Sequence, residues 1–183
     1  MYGLKRQHCL RKENAMNEKI ETGINNQINM ELSSSYLYLS MATWCEANNL
    51  RGAAHWLKTQ AHEEMLHMGK MYTYINDRDG RVKLLAIPEP KSKWSSVEDI
   101  FKNVLNHEKD ITAKINELVG LSNELNDHAT LTFLQWFVTE QVEEEANARD
   151  ILDQIKLIGD APGGLYMLDK ELATRQMPQA NAQ

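Results

Sequence analysis

Four long stretches of this chain repeat apolar residues every three or four positions, which is the period of one face of an α-helix. They run from about Asn17 to Ala47, Arg51 to Asn76, Ser95 to Gly120–Asn123, and Asp127 to Ile158. A helix with one apolar stripe must cover it, and four such helices of similar length cover one another in a bundle. The breakers between them set the connections. Asn48-Asn49 and the segment around Asn123–Asn126 leave only a few residues, enough to turn back but not to cross a bundle, so each makes an antiparallel hairpin. Asp79-Gly80 instead opens a longer link, Arg81–Trp94, which carries Pro88 and Pro90 and can span the bundle. Ser95 with Glu98 has the pattern of a capping box for the third helix. The fourth stops at Gly159, and after Pro162-Gly163-Gly164 a short fifth helix is expected over about Leu165–Thr174. The fold class is all-α: a four-helix bundle of two antiparallel hairpins joined by a long crossover, plus a short C-terminal helix.

The apolar seams are interrupted, and the interruptions carry the function. The first seam reads Ile24, Ile28, Glu31, Ser35, Tyr38, Ala42, Cys45 and the second Ala53, Leu57, Gln60, Glu64, His67, Met71, Tyr74. The third reads Val97, Phe101, Val104, Glu108, Ile111, Ile115, Leu118 and the fourth Leu134, Phe137, Gln141, Glu144, Ala148, Ile151, Ile155. One seam glutamate alone is as readily a solvated residue read one position out of register. Glu31, Glu64, Glu108 and Glu144, however, each lie near the midpoint of their helix, and midpoints of antiparallel helices of similar length meet at one level. His67 follows Glu64 by three residues, on the same face.

Four ionised carboxylates in a low-dielectric core are very costly unless paired. No Lys or Arg occupies a mid-seam position, and one imidazolium cannot offset four negative charges. Protonation would relieve the repulsion, but two divalent cations balance four carboxylates directly. An oxygen-rich ligand set with a single imidazole suits iron or manganese better than a thiolate-seeking metal. Helical bundles with inward carboxylates house dinuclear sites of this kind.

The rest of the chain narrows the alternatives. A net charge of −6 argues against nucleic acid as a partner, and no apolar run approaches the ~20 residues of a membrane span. Met1–Asn14 is basic, with Lys5, Arg6, Arg11 and Lys12, but has no apolar stretch to serve as a secretory signal. Cys9 and Cys45 are too few for a disulfide framework, which fits a reducing cytoplasm. Cys45 is expected to be a small core residue. Glu124, Asp127 and His128, at the third-to-fourth turn, are positioned as channel residues.

Gln27-Ile28-Asn29-Met30-Glu31, Tyr36–Met41 and Ala61-His62-Glu63-Glu64-Met65-Leu66-His67-Met68 resemble the first two helices of bacterial non-haem ferritins. Ile115–Leu118, Phe133–Trp136 and Glu140-Gln141-Val142-Glu143-Glu144-Glu145 resemble the second pair, and Gly164–Leu172 the short terminal helix. The resemblance covers about Met16 to Thr174. It implies a ferritin-like domain over 15–174 with a polar tail over 175–183; residues 1–14 depart from the family pattern and are expected to be an N-terminal extension, disordered or tag-like, with a short targeting arm as the alternative. It implies one iron site of Glu31, Glu64 and His67 and a second of Glu64, Glu108 and Glu144, with Glu64 bridging and Gln141 beside the second iron. A third iron site would use Glu63, Glu140 and Glu143 with Glu144 shared, on a flank that is otherwise an ordinary acidic face. Tyr38 would lie beside the first site, as hydrogen-bond partner or electron donor. Gln141-x-x-Glu144 stands where haem-containing relatives have Glu-x-x-His, which argues against haem even though Met65 follows Glu64. Trp136 and the histidines at 55, 62, 107 and 128 are expected to pack or face solvent.

The implied function is ferroxidase activity, oxidation of Fe(II) by dioxygen or hydrogen peroxide at the paired site, with Fe(III) mineral stored in a homo-oligomeric shell of 24 subunits. The apolar residues of the terminal helix (Leu165, Tyr166, Leu168, Leu172) are expected to meet a neighbouring subunit. Two alternatives remain open: a di-iron oxidase or peroxidase on the same bundle that stores no iron, and a structural assembly in which the glutamates are inert.

Overall fold

The computed structural model describes residues 16–178. The expected N-terminal extension and the last five residues of the tail, Cys9 included, lie outside the described residues. Among the described residues five helices follow one another: α1 Glu18–Ala47, α2 Arg51–Asp77, α3 Val97–Glu124, α4 His128–Ile158 and α5 Pro162–Leu172. No strand occurs among the described residues, and no helix there is long and apolar enough to cross a membrane.

The hairpin turns close where polar residues tolerate the left-handed region: Asn49 (φ 60°) after α1 and Asn126 (φ 54°) after α3. Asp79 (φ 55°) ends α2 in the same way, and Gly159 (φ 56°) ends α4. The start of α3 differs from the expected capping box by one residue. Ser96 is the N-cap, its hydroxyl accepting from the Asp99 amide at 3.1 Å, while the Asp99 carboxylate accepts from the Ser95 amide, also at 3.1 Å. Two serines in a row followed by Glu98-Asp99 present the same pattern in two registers, and the one that buries Val97 prevails. The fifth helix also starts earlier than expected. Pro162 occupies its first turn, where a missing amide hydrogen costs nothing, so Pro-Gly-Gly opens the helix rather than preceding it.

The core consists of two apolar clusters with a polar layer between them. One holds Ile24, Ile28, Met71, Ile75, Ile115 and Leu134; the other holds Tyr38, Leu57, Ile100, Phe101, Val104 and Ala148. α1 and α4 run from the first cluster to the second, α2 and α3 from the second to the first. Each hairpin is therefore antiparallel, and α2 and α3 are parallel, so the link between them must travel the length of the bundle. It does so along α1. Asn25 accepts from the Lys83 amide (2.6 Å) and donates to the Arg81 carbonyl (3.0 Å), and Ser40 donates to the Lys91 carbonyl (2.8 Å). Every seam residue is buried except Tyr74, whose place is taken by Ile75. Cys45 is a core residue as expected, and burial pushes its thiol up to about 12.

α5 docks on α2 and α4. Leu168 and Leu172, expected to face a neighbouring subunit, are instead buried in this chain's own core, while Tyr166 and Met167 are exposed. The helix turns its i, i+4 pair inward because the open end of the second cluster lies beneath it. Asp169 then caps α2, accepting from the Ala53 amide at 2.9 Å. That close approach needs Gly52, where a β-carbon would sit 1.5 Å from the Asp169 carbonyl oxygen. Gly52→Ala is expected to lift α5 and destabilise the chain by about 1–3 kcal/mol, measured by thermal unfolding.

Candidate metal centre

Between the two apolar clusters lie Glu31, Glu64, His67, Glu108, Gln141 and Glu144, each at most 4% exposed. The ligand atoms of Glu31, Glu64 and His67 all fall within 4.8 Å of one another. His67 Nδ1 is 3.4 Å from Glu64 Oε2. Gln60 connects this group to the fourth helix: its Nε2 donates to Glu144 Oε2 at 2.7 Å and more weakly to Glu64 Oε1 at 3.3 Å. Glu108 is held by the Tyr38 hydroxyl and by Gln141 Nε2, which reaches its carboxylate at 3.2 Å. All four helices thus deliver a carboxylate to one level, as their seam positions require.

The electrostatics follow from burial and crowding. Burial, with the neighbouring Glu64 charge, drives the Glu31 carboxyl well above the ordinary range. Glu64 is driven up by burial and by the charges of Glu108 and Glu144. Glu144 is pushed up to about 8, by burial first and then by Glu108. Burial and Glu108 likewise hold the Tyr38 phenol well above its usual value. Carboxyls so raised keep their protons or exchange them for cations. Glu31 Oε2 is fully buried and has no hydrogen-bond partner among the described residues, whereas Glu31 Oε1 accepts from Gln27 at 2.8 Å. A buried carboxylate oxygen without a hydrogen-bond partner, on a residue grouped with Glu64 and His67, suits a cation-binding set.

The residues of the implied third site separate. Glu140 joins His67 and Glu144 in a second group within 4.8 Å. Glu63 is tied to the Arg175 guanidinium, with burial raising its carboxyl and Arg175 opposing that rise. Glu143 is exposed and lies in neither group. Beside them opens a cleft of about 820 Å³ lined by Glu63, His67, Lys70, Trp136 and Glu140 among others. Trp136 packs edge-on to His67 with ring centroids 5.4 Å apart. His107 bonds Ser34 at 2.7 Å and His55 bonds the Arg175 carbonyl at 2.8 Å, so both are satisfied rather than free, and His62 and His128 face solvent. At the third-to-fourth turn Asp127 caps α4 and pairs with Arg78 at 3.0 Å.

Three supporting residues had no role assigned from the sequence: Gln27, Gln60 and Arg175. Gln27 and Gln60 stand four residues before Glu31 and Glu64, one turn away on the same face, and that spacing was a usable signal. Arg175 offered none, because it reaches the site from the far end of the chain.

A helical bundle of this topology with a carboxylate-and-histidine layer at mid-height has the architecture in which helical bundles house dinuclear carboxylate sites. A family profile described as a ferritin-like domain matches residues 21–158. The Haemophilus influenzae probable bacterial non-heme ferritin-like protein is 40% identical over 157 residues, covering 86% of this chain and 95% of that one. The Campylobacter jejuni bacterial non-heme ferritin is 44% identical over 147 residues, 80% and 88% of the two chains. Among solved structures, a closed form of the Archaeoglobus fulgidus ferritin made by site-directed mutagenesis superposes with a TM-score of 0.88 at 45% identity, over 90% of this chain and 100% of that one. The chain belongs to the ferritin family.

Proposed function

We propose that this chain is the subunit of an iron-storing ferritin that oxidises Fe(II) with dioxygen at the paired carboxylates and stores Fe(III) mineral. The observation that carries this is the buried convergence of Glu31, Glu64, His67, Glu108 and Glu144, with one carboxylate oxygen left unpartnered. One Fe(II) would be held by Glu31, Glu64 and His67, the other by Glu64, Glu108 and Glu144, with Gln141 beside it. Four carboxylates match the charge of two divalent ions, so binding exchanges protons for metal. Dioxygen takes one electron from each Fe(II), giving two Fe(III) and oxygen reduced by two electrons without release of superoxide. Hydrogen peroxide can serve as the same two-electron acceptor. The protein's part is fixed ligands with open positions on both ions. Tyr38, expected beside the first site, instead donates its hydroxyl to Glu108, a ligand of the second; it steadies that carboxylate and would be the electron donor nearest the pair's second metal.

Storage is favoured over a non-storing oxidase because the relatives carry ferritin names across most of this chain's length. We place the subunit in a shell of 24 identical copies in the cytoplasm, with the exposed Tyr166 and Met167 of α5 meeting neighbours. Aerobic iron loading followed by electron microscopy tests this: hollow particles with dense centres are expected, and small oligomers without mineral would favour the oxidase instead.

Of the residues implied for a third site, Glu63 and Glu140 line the cleft and Glu140 lies beside Glu144, so a third iron would bind weakly there, with Glu143 farther out on the exposed flank. Glu140→Ala is accordingly expected to leave the first, fast phase of oxidation within about twofold of the parent, because Glu140 is not a ligand of the pair. Later turnover is expected to change. Stopped-flow kinetics over successive iron additions separates the two, and complete loss of the first phase would contradict this division of roles.

A further inference from the structure

Beyond α5 the chain folds back onto α2, and Arg175 is bound there from several sides. Its carbonyl accepts from His55 Nε2 at 2.8 Å, and its guanidinium lies 4.3 Å over the Trp56 ring. One guanidinium nitrogen donates to Gln60 Oε1 at 2.8 Å, and the other to Glu63. Gln60 is fully buried. A primary amide has one oxygen and one nitrogen end, and only the nitrogen donates. With its oxygen end engaged by Arg175, Gln60 must turn its nitrogen toward Glu64 Oε1 and Glu144 Oε2, at 3.3 and 2.7 Å. The opposite orientation would set a carbonyl oxygen against two carboxylates.

We propose that Arg175 is a positioning residue for the paired metal site: by fixing the orientation of Gln60 it aims Glu64 and Glu144 at the second metal. This rests on the two-metal reading above. It gives the C-terminal segment, more than a hundred residues from Gln60 and Glu64 in sequence, a direct part in building the site. Arginine suits the role because its planar fork holds two acceptors at once while its face stacks on an indole. The two metals are not affected alike. Glu31 and His67 lie outside the Arg175–Gln60 chain, so the first metal keeps two of its three ligands undisturbed, whereas the second shares Glu64 and depends on Glu144.

Anoxic titration of the assembled protein with Co(II), followed by visible absorption, tests this without any oxidation step. The parent is expected to bind two ions per subunit; binding of none would contradict the proposed function itself, before any variant is compared. Arg175→Gln is expected to retain the first ion and weaken the second by about 10–100-fold, the usual cost of losing an outer partner of a metal ligand. The intact first site reports that the bundle is folded. Arg175→Lys keeps the charge but not the fork, and is expected to show a smaller loss of the same ion, which decides the matter should Arg175→Gln fail to assemble. Gln60→Leu is expected to reproduce the Arg175→Gln loss, and the double variant to lose no more than either single one. Parent-like affinity for the second ion in either Arg175 variant, or losses that simply add in the double variant, would overturn the proposal.

Discussion

Glu64→Gln is expected to slow the initial oxidation of Fe(II) by about 100-fold or more, the largest effect of any single ligand change. Even an outer partner of a metal ligand costs about 10–100-fold, and in the proposed site Glu64 contacts both metals. The same substitution is expected to make the metal-free protein more stable. Glu64 is 2% exposed, with Glu108 and Glu144 raising its carboxyl well above the ordinary range. Gln has nearly the same shape and can still accept from Gln60, but needs no proton on folding, a cost that the raised Glu64 carboxyl carries at neutral pH. Exchanging buried ionisable groups for neutral ones of similar volume commonly gains about 1–4 kcal/mol. Rapid-mixing absorbance measures the first effect and thermal unfolding of the metal-free protein the second. A variant both slow and destabilised would point to a packing role for Glu64 in place of a metal-binding one.

The second large effect is a dependence of metal-free stability on pH. Glu144 titrates near 8 in the folded chain against an ordinary value of 4.5, because burial and the Glu108 charge oppose its ionisation. Between these values the unfolded chain has released the proton and the folded chain has kept it, so folding binds a proton and stability falls as pH rises. The slope is on the order of 1.4 kcal/mol per pH unit from a single such group, present between about 4.5 and 8 and flat above that window. Glu31 and Glu64, raised in the same direction, steepen the fall. Bound divalent metal reverses it, because the cation displaces those protons and binds more tightly as they leave. Melting temperatures with and without Zn(II) are therefore expected to diverge as pH is raised from 5 to 8. Parallel curves would mean that these carboxyls are not the groups that meet the metal.

Most of this arrangement was legible in the sequence because helical period is a long-range constraint. A seam must close over several turns, so Glu31, Glu64, Glu108 and Glu144 could not have been read one position off without displacing Ile28, Met71, Val104 and Ala148 from the core. The same logic set the topology, since two short links and one long link admit few bundles. What escaped were features decided by a few atoms. Ser95 and Ser96 offer the same capping chemistry, and only the burial of Val97 selects between them. Pro162-Gly163-Gly164 reads as a break, yet proline fits a first helical turn. Leu168 and Leu172 form an apolar stripe that a neighbouring subunit or this chain could equally cover, and periodicity does not say which. Arg175 is the extreme case: its place beside Gln60 and Glu63 depends on how α5 docks, which in turn depends on Gly52 admitting the Asp169 backbone.

That inward carboxylates from four helices exist to hold a pair of cations can be tested most directly by crystallography on crystals soaked anaerobically in Fe(II), with data collected at the iron absorption edge. Two anomalous peaks per subunit are expected in the mid-bundle layer, both in contact with Glu64, one beside Glu31 and His67 and the other beside Glu108 and Glu144. Iron found only on the outer acidic faces, with the central layer empty, would contradict it.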